Sequence, residues 1–441
     1  MTKSPVTVIG AGLAGCEAAW QLAERGISVK LYEMKPHKKS PAHISDDFAE
    51  LVCSNSLRSD DRANAAGLLK EEMRRLGSLI INCADSVRIP AGGALAVDRE
   101  RFAALVTQRV RSNTLIEVIA GEVTVIPDGT IIIASGPLTS DPLAKNISSM
   151  FPDGSMLSFF DSAAPIVTFE SIDTDIAFTA SRYDKTGGSD SGSPGDYINC
   201  PMDKEQYTAF YNELVKAEEA PMHRFEDKLV FEGCIPIEVM ARRGEDTMRY
   251  GPLKPVGLRD PRTDRESYAV VQLRRDNAEG TLYNLVGFQT HLKFSEQKRV
   301  FSMIPALHNA EIVRYGVMHR NTYINSPKLL DRYNRLVSEP RIRFAGQITG
   351  VEGYVESASS GLLTGLETAL ELQGLPSVDF PKETAIGALA LYTSGGAVSS
   401  FQPMNINFGL IAPLEERVKG KRNKNLALSE RSLKIIDDFN R

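Results

Sequence analysis

Val6-Thr7-Val8-Ile9-Gly10-Ala11-Gly12-Leu13-Ala14-Gly15-Cys16-Glu17-Ala18-Ala19 joins a mostly apolar run of four residues to a spaced glycine triplet and an alanine-rich run. The apolar residues read as a buried strand, and Glu17 to Arg25 as a helix. Gly10 permits a tight turn between them, Gly12 lets the backbone approach phosphates, and Gly15 lets the helix pack close on the strand. The helix N-terminus then offers unpaired N–H groups and the positive end of its dipole to a pyrophosphate. A second strand, Ser28-Val29-Lys30-Leu31-Tyr32-Glu33, ends in a carboxylate at the spacing expected for a ribose hydroxyl partner. Together these features point to a dinucleotide cofactor. The competing reading is a strand-turn-helix with incidental glycines and a solvated Glu33.

The chain has 441 residues, long for one core, so two domains or an inserted domain are expected. Its 42% hydrophobic and 24% charged content is that of an ordinary globular protein. No apolar run approaches the ~20 residues that span a bilayer. The N-terminal apolar stretch is broken by glycines and lacks a basic leader, which excludes a signal peptide or anchor and predicts a cytoplasmic protein. Cys16, Cys53, Cys83, Cys200 and Cys234 are an odd set without zinc-ligand spacing, so neither a disulfide framework nor a structural metal is expected. The histidines His37, His43, His223, His291 and His308 also lack ligand spacing, and no metal is assigned. A net charge of −5 does not advertise nucleic-acid binding, although a footprint can be local. Arg417, Lys419, Lys421 and Arg422, with Lys424, form the clearest basic segment; a solvated stretch with no partner explains it equally.

Working outward, Lys35 to Ser59 is polar and aperiodic and reads as a loop over the cofactor. Ala65 to Leu76 and Asp98 to Val110 read as amphipathic helices, the latter capped by Asp98 and carrying Arg99 to Arg111 on its outer face. Thr130 to Gly136 reads as a buried parallel strand stopping at the cofactor crevice. From about Ala164 the texture changes: Pro165 to Glu170 and Tyr268 to Leu273 alternate, and a Gly/Ser-rich loop runs from Thr186 to Gly195, as in an inserted mixed sheet. The first fold resumes at Arg341 to Gly350, followed by Gly353 and a helical run from Ser357 to Leu372. This late unit brings Arg343, Gly346, Thr349 and Gly353 to the cofactor beside Gly10, Ala11, Gly12, Leu13, Ala14, Gly15 and Glu33, and two such distant units favour FAD over a simple NAD site. The expected architecture is α/β: an FAD-binding doubly wound dinucleotide fold made of N- and C-terminal parts (1–163 and 317–441), with an inserted mixed α/β domain (164–316).

Two thiols sit in loop-like contexts. Cys53 lies in Leu51 to Leu57, with Arg58 nearby, and Cys234 lies in Phe231 to Glu238, with Arg242 and Arg243 nearby. Cations and backbone N–H groups in such places lower a thiol's pKa, although a cysteine is more often a small core residue. Cys16 reads as packing, while Cys83 and Cys200 have no readable context. Val317 to Tyr323 gathers His319, Arg320, Asn321 and Tyr323, a platform for a flat anionic ligand beside a flavin or a polar hinge between domains.

Several longer motifs carry a family resemblance. Gly10 to Gly15 with Glu33-Met34, Cys53 to Leu57, Ile89 to Asp98, Gly251 to Gly257, Val286 to Thr290 and Tyr315 to Tyr323 resemble the folate- and FAD-dependent tRNA (uracil-5-)-methyltransferases, relatives of the GidA flavoproteins. The likeness runs through Phe401 to Met404, nearly the whole chain, and weakens after about Glu416. It implies methylation of uridine C5, typically at tRNA position 54 in the T-arm, with 5,10-methylenetetrahydrofolate as carbon donor, reduced FAD as reductant and NADPH or NADH restoring the flavin. It further implies that Cys234 is the base nucleophile, that Cys53 is a second functional cysteine near the flavin, and that His319 stacks the pterin, with Arg320 and Asn321 as folate contacts. The Arg417 to Arg422 segment is then a candidate RNA contact. Rival readings are a flavin NAD(P)H oxidoreductase without RNA, a folate- or RNA-binding protein that retains a flavin fold, and the related wobble-uridine flavoprotein. The last usually has a further C-terminal helical domain, and a chain ending at Arg441 is expected to lack it. A ribosomal RNA target fits the motifs as well as tRNA does.

Overall fold

The computed structural model describes residues 4–40, 42–151, 155–182, 195–220, 235–316, 318–395 and 401–439, apart from the side chains of 158–162 and 318–320. Five parallel strands form one sheet, in the order Ile342–Phe344, Ile131–Ile133, Val6–Ile9, Val29–Glu33, Ile116–Ala120. Val6 pairs with Val29 on one side, and Thr7 pairs with Ile131 on the other. Ile342–Phe344 pairs in step with Ile131–Ile133, so residues from both ends of the chain complete one sheet. The isoleucine strand is fully buried, as a run without polar alternation requires.

Two helices beside this sheet pack on each other by direct backbone contact. Leu13–Ala23 follows the first strand, and Tyr354–Gln373 follows the last. A Cβ on Gly361 would lie 2.2 Å from the Ala14 carbonyl oxygen, and one on Gly365 would lie 2.6 Å from that of Ala18. Glycines four apart share one helix face, and that face is pressed against the alanines of the first helix. Around this pair, Ala65–Arg75, Leu79–Ser86, Arg99–Ser112, Ala385–Ser394 and Lys421–Phe439 supply a shared apolar core that includes Leu22, Leu69, Phe102, Leu362, Ile386 and Ile436.

Buried carboxylates tie these helices at their ends. Glu17 accepts the Leu79 and Ile80 N–H groups at 3.2 and 2.9 Å, and Glu72 accepts those of Ala385 and Ile386 at 2.7 and 2.9 Å. Each carboxylate meets the positive end of a helix dipole, which offsets part of its desolvation. Burial still pushes the Glu72 carboxyl up to about 7, against the hydrogen bonds from Ser432, Ala385 and Ile386.

A second sheet has six strands, ordered Phe178–Ala180, Tyr197–Met202, Ala269–Arg275, Leu282–Leu285, Ile166–Thr168, Ile312–Arg314. Every described pair in it is antiparallel, which corrects the expectation of a mixed sheet. Tyr207, Phe210, Phe288 and Phe301 form its core with the helices Lys204–Lys216 and Phe294–Phe301. A two-stranded ribbon, Met156–Ser162 against Met318–Ile324, is a further sheet. No helix among the described residues is long and apolar enough to cross a membrane.

Two local expectations change. The segment read as loop through Ser59 ends in a strand, Ser56–Ser59, paired with Ala94–Val97. Asp98 does cap the Arg99–Ser112 helix by accepting the Arg101 N–H at 2.9 Å, but Arg99 turns inward and pairs with Asp276 at 2.9 Å. Helical periodicity places a residue at the first turn poorly, because one step there moves it across the face.

The glycine contact gives a direct test. Gly361→Ala should cost ~1–3 kcal/mol, the usual range for overpacking, and lower flavin retention. Gly93→Ala, where an added Cβ meets nothing within 4 Å, serves as control. Equal melting temperatures and flavin content for the two variants would remove the contact from its central place.

Candidate active site

A cavity with about 1070 Å³ of empty space, including its open mouth, lies at the carboxyl ends of the parallel strands. Its floor is the turn Gly10 to Ala14, reached directly from the first strand. Gly10 has φ +98°, and a Cβ there would lie 2.7 Å from the Ala134 oxygen. Gly15 stands behind the turn, where a Cβ would fall 1.8 Å from the Gly10 oxygen. The first helix has no side-chain cap at Gly12, and the second has none at Gly353, so both N-termini keep donors for a ligand. Glu33 closes the second strand at the cavity wall; its carboxylate accepts the Ala11 N–H at 2.8 Å and the Lys35 N–H at 3.0 Å.

These features fit FAD. The glycine turn accommodates a pyrophosphate, Glu33 stands where a ribose hydroxyl would meet a carboxylate, and Gly346, Gln347, Tyr354 and Ser357 from the late unit line the same cavity.

Val52 lines the cavity, and the next residue is Cys53. The Tyr354 phenol oxygen accepts the Cys53 and Ser54 backbone N–H groups at 2.7 and 3.3 Å. Burial raises the Tyr354 phenol well above its ordinary value, and the nearby Cys53 charge adds to this, so the group works as a neutral phenol. Further along, Arg58 pairs with Glu356 in the first turn of the same helix. Arg314 donates to the Val52 oxygen at 3.0 Å, and burial lowers its pKa. Arg99 donates to the Leu51 oxygen; burial opposes its charge, but Asp276 outweighs burial and holds its pKa high. The cysteine loop is thus surrounded by guanidinium groups.

The family model described as GIDA: Glucose inhibited division protein A matches residues 5–376. A methylenetetrahydrofolate--tRNA-(uracil-5-)-methyltransferase TrmFO from Acetivibrio thermocellus is 59% identical over 435 residues, covering 98% of each chain. One of the same name from Brevibacillus brevis is 55% identical over 439 residues, covering 100% of this chain and 99% of its own. This chain belongs to the TrmFO methyltransferases of the GidA family. Among solved structures, Aquifex aeolicus GidA superposes with a TM-score of 0.70 at 15% identity, covering 98% of this chain and 73% of that one, which is a likeness of fold.

Within this TrmFO family member the candidate residues separate by position. Gly10, Ala11, Gly12, Leu13, Ala14, Glu33 and Gly346 line the cavity. Arg343 does not: its side chain is buried beneath the sheet's helix layer, donates to Glu371 at 2.6 Å, and has its pKa lowered by burial. Thr349 is also withdrawn, its hydroxyl donating to the Gly346 oxygen at 2.8 Å. Gly353 acts one step away, as the helix N-cap with φ +104°. These three lie outside the residues that line the cavity and shape the late unit around it.

His319 and Arg320 lie on the ribbon strand, opposite Asp161 and Phe160, and their side chains are outside the described residues. Asn321 is buried opposite Phe159. Cys234 lies outside the described residues. Arg417, Lys419, Lys421 and Arg422 are exposed, and Arg422 pairs with Asp61 at 2.6 Å. Sequence reading missed His43, Glu50, Ser135 and Tyr354 on the cavity wall. Only Tyr354 had a usable signal, since it follows the glycine that begins the late helix.

Glu33→Ala should weaken FAD binding to deflavinated protein by roughly 10- to 100-fold, the scale of one charged hydrogen bond of ~1.5–3 kcal/mol. Fluorescence titration reads it, and an unchanged Kd would place the ribose elsewhere.

Proposed function

We propose that this protein methylates C5 of a uridine in tRNA, expected at position 54 of the T-arm, with 5,10-methylenetetrahydrofolate as carbon donor and NADPH or NADH as the source of electrons through FAD. One observation carries the reading: Tyr354 lines the dinucleotide cavity and holds the backbone at Cys53, in a chain aligned almost end to end with relatives bearing the TrmFO name. The bound flavin supplies the hydride that reduces a transferred methylene to methyl.

The protein's own chemistry starts from a weak nucleophile. Uracil C5 gains reactivity when a thiolate adds at C6, because addition breaks the ring's conjugation and leaves an enolate spanning C5 and O4. C5 then bonds to the methylene carbon; loss of the C5 proton expels the nitrogen that carried the methylene and leaves an exocyclic methylene on C5, and hydride addition to that carbon drives elimination of sulfur from C6, which restores the ring with a methyl group on C5. Cys234 is assigned the addition and Cys53 the second functional thiol, on the loop that borders the cofactor cavity. His319 is assigned to the pterin, with Arg320 and Asn321 as neighbouring folate contacts.

The target base must leave its stack to reach a cavity of this depth. Phosphate contacts require only a local cationic surface, so a net charge of −5 is compatible with an RNA substrate. The exposed Arg417, Lys419, Lys421 and Arg422 are assigned to that surface. Arg422 has the least to offer, since Asp61 already engages it.

Unmodified tRNA transcript, incubated with FAD-loaded protein, NADPH and 5,10-methylenetetrahydrofolate, should acquire 5-methyluridine by nucleoside mass spectrometry. NADPH consumption with unmodified RNA would instead mark a flavin oxidase. Cys234→Ala should abolish transfer while flavin remains bound, because the thiol attacks carbon and holds no cofactor; full activity would end that assignment. Neutralising Lys419, Lys421 and Arg422 together should weaken RNA binding and flatten the slope of log K against log salt by roughly two. An unchanged slope would leave the segment without an RNA role.

A further inference from the structure

We propose that Arg274 is a positioning residue for Cys53, holding the cysteine loop in the arrangement that methyl transfer uses. This rests on the reading of Cys53 as a functional thiol. Arg274 lies on the strand Ala269–Arg275 of the antiparallel sheet and is buried. Its Nε donates to Asn55 Oδ1 at 2.9 Å and its Nη2 to Ser54 Oγ at 2.6 Å. One guanidinium therefore grips both residues that follow Cys53, from 220 residues away in sequence.

The grip is continued by Asn55. That side chain is fully buried and donates to the Val97 oxygen at 3.0 Å and to the Arg275 oxygen at 2.9 Å. From the opposite side, Tyr354 accepts the Cys53 and Ser54 N–H groups. Cys53 thus sits between an anchor on the cofactor cavity and an anchor on the antiparallel sheet. The two sides reach it through different atoms of adjacent residues.

Charge distinguishes Arg274 from a plain staple. Arg99 is neutralised by Asp276 at 2.9 Å, whereas no carboxylate among the described residues comes within 4.0 Å of Arg274. Burying a guanidinium without a counter-ion is costly, and a neutral amide could donate to the same two oxygens. The fork fixes geometry as an amide cannot, and its charge, opposed by burial and only partly offset by Tyr197 and Asp276, is available to the negative charge carried by sulfur or substrate during the reaction.

The test uses full-length, FAD-loaded protein carrying Arg274→Gln or Arg274→Lys. Hydrogen–deuterium exchange in the peptide covering residues 51–57 should rise about tenfold in both, because neither side chain forms the fork, while peptides of the parallel sheet keep their protection. Transfer to tRNA transcript should lose kcat by about 10- to 100-fold in Arg274→Gln, the scale of a displaced reacting group, with KM within about twofold. Arg274→Lys should recover part of kcat, since it keeps the charge. Asn55→Asp, which keeps an oxygen acceptor for Arg274 but removes the amide's donations to the Val97 and Arg275 oxygens, and Ser54→Ala, which removes the Arg274 contact together with the one Ser54 Oγ accepts from the Ser56 N–H at 3.1 Å, give milder versions should Arg274→Gln fail to fold. Unchanged exchange at 51–57, exchange rising equally throughout the protein, or full kcat despite a loosened loop would each overturn the proposal. If wild-type protein transfers no methyl group, the functional reading falls, and the exchange comparison still decides whether Arg274 holds the loop.

Discussion

The cofactor cavity depends on the contact between two helices that begin some 340 residues apart. Gly361 and Gly365 meet Ala14 and Ala18 with no side chain between them, so any added carbon must displace backbone. That approach brings Gly346 and Tyr354 to the cavity built by Gly10 to Ala14. The cavity and the long-range closure of the chain therefore rest on the same contact. The glycine turn alone can hold phosphates, but the far wall of the cavity exists only when the second helix is seated on the first.

The cysteine loop uses this geometry a second time. Tyr354 belongs to the first turn of the seated helix, and its oxygen reaches the loop directly. On the other side, Arg274, Arg314 and the Arg99–Asp276 pair bring the antiparallel sheet to residues 51–55. Each of these guanidinium groups loses solvation on burial, and the carbonyl, hydroxyl and amide oxygens of the loop replace water as acceptors. The loop thereby becomes a shared boundary between the two sheets, with its order dependent on both.

Legibility in the sequence follows the range of the interaction. The glycine turn, the acidic end of the second strand and the isoleucine strand are local patterns with one mechanical solution each, and they could be read directly. The late unit was readable as a strand, glycine and helix, but not in the direction of its side chains. Arg343 lies near the crevice in sequence, yet its side chain turns to Glu371, which stands 28 residues later. The amphipathic pattern of its helix puts Arg99 on the outer face, yet it turns inward because Asp276 is there. Both turns have one cause: a charged side chain follows its partner, and a partner brought by distant chain leaves no periodic signal. The antiparallel pairing of the second sheet was hidden for the same reason, since alternation reports burial and says nothing of strand direction.

The cysteines show how burial selects chemistry. Cys16, Cys83 and Cys200 are buried, and burial pushes all three thiols up, Cys83 to about 11. Near neutral pH such groups stay protonated, and a protonated thiol is a poor nucleophile toward carbon. Cys16 illustrates the alternative use, filling the interface beneath the glycine turn while its sulfur leans on the Ala11 oxygen at 3.3 Å. Cys53 differs in its surroundings: it is partly exposed, next to a residue of the cavity wall, and ringed by guanidinium groups where the others meet apolar packing. For Cys16, Cys83 and Cys200 the fold makes the choice through the low dielectric it sets around each sulfur, and keeps the thiol as packing material.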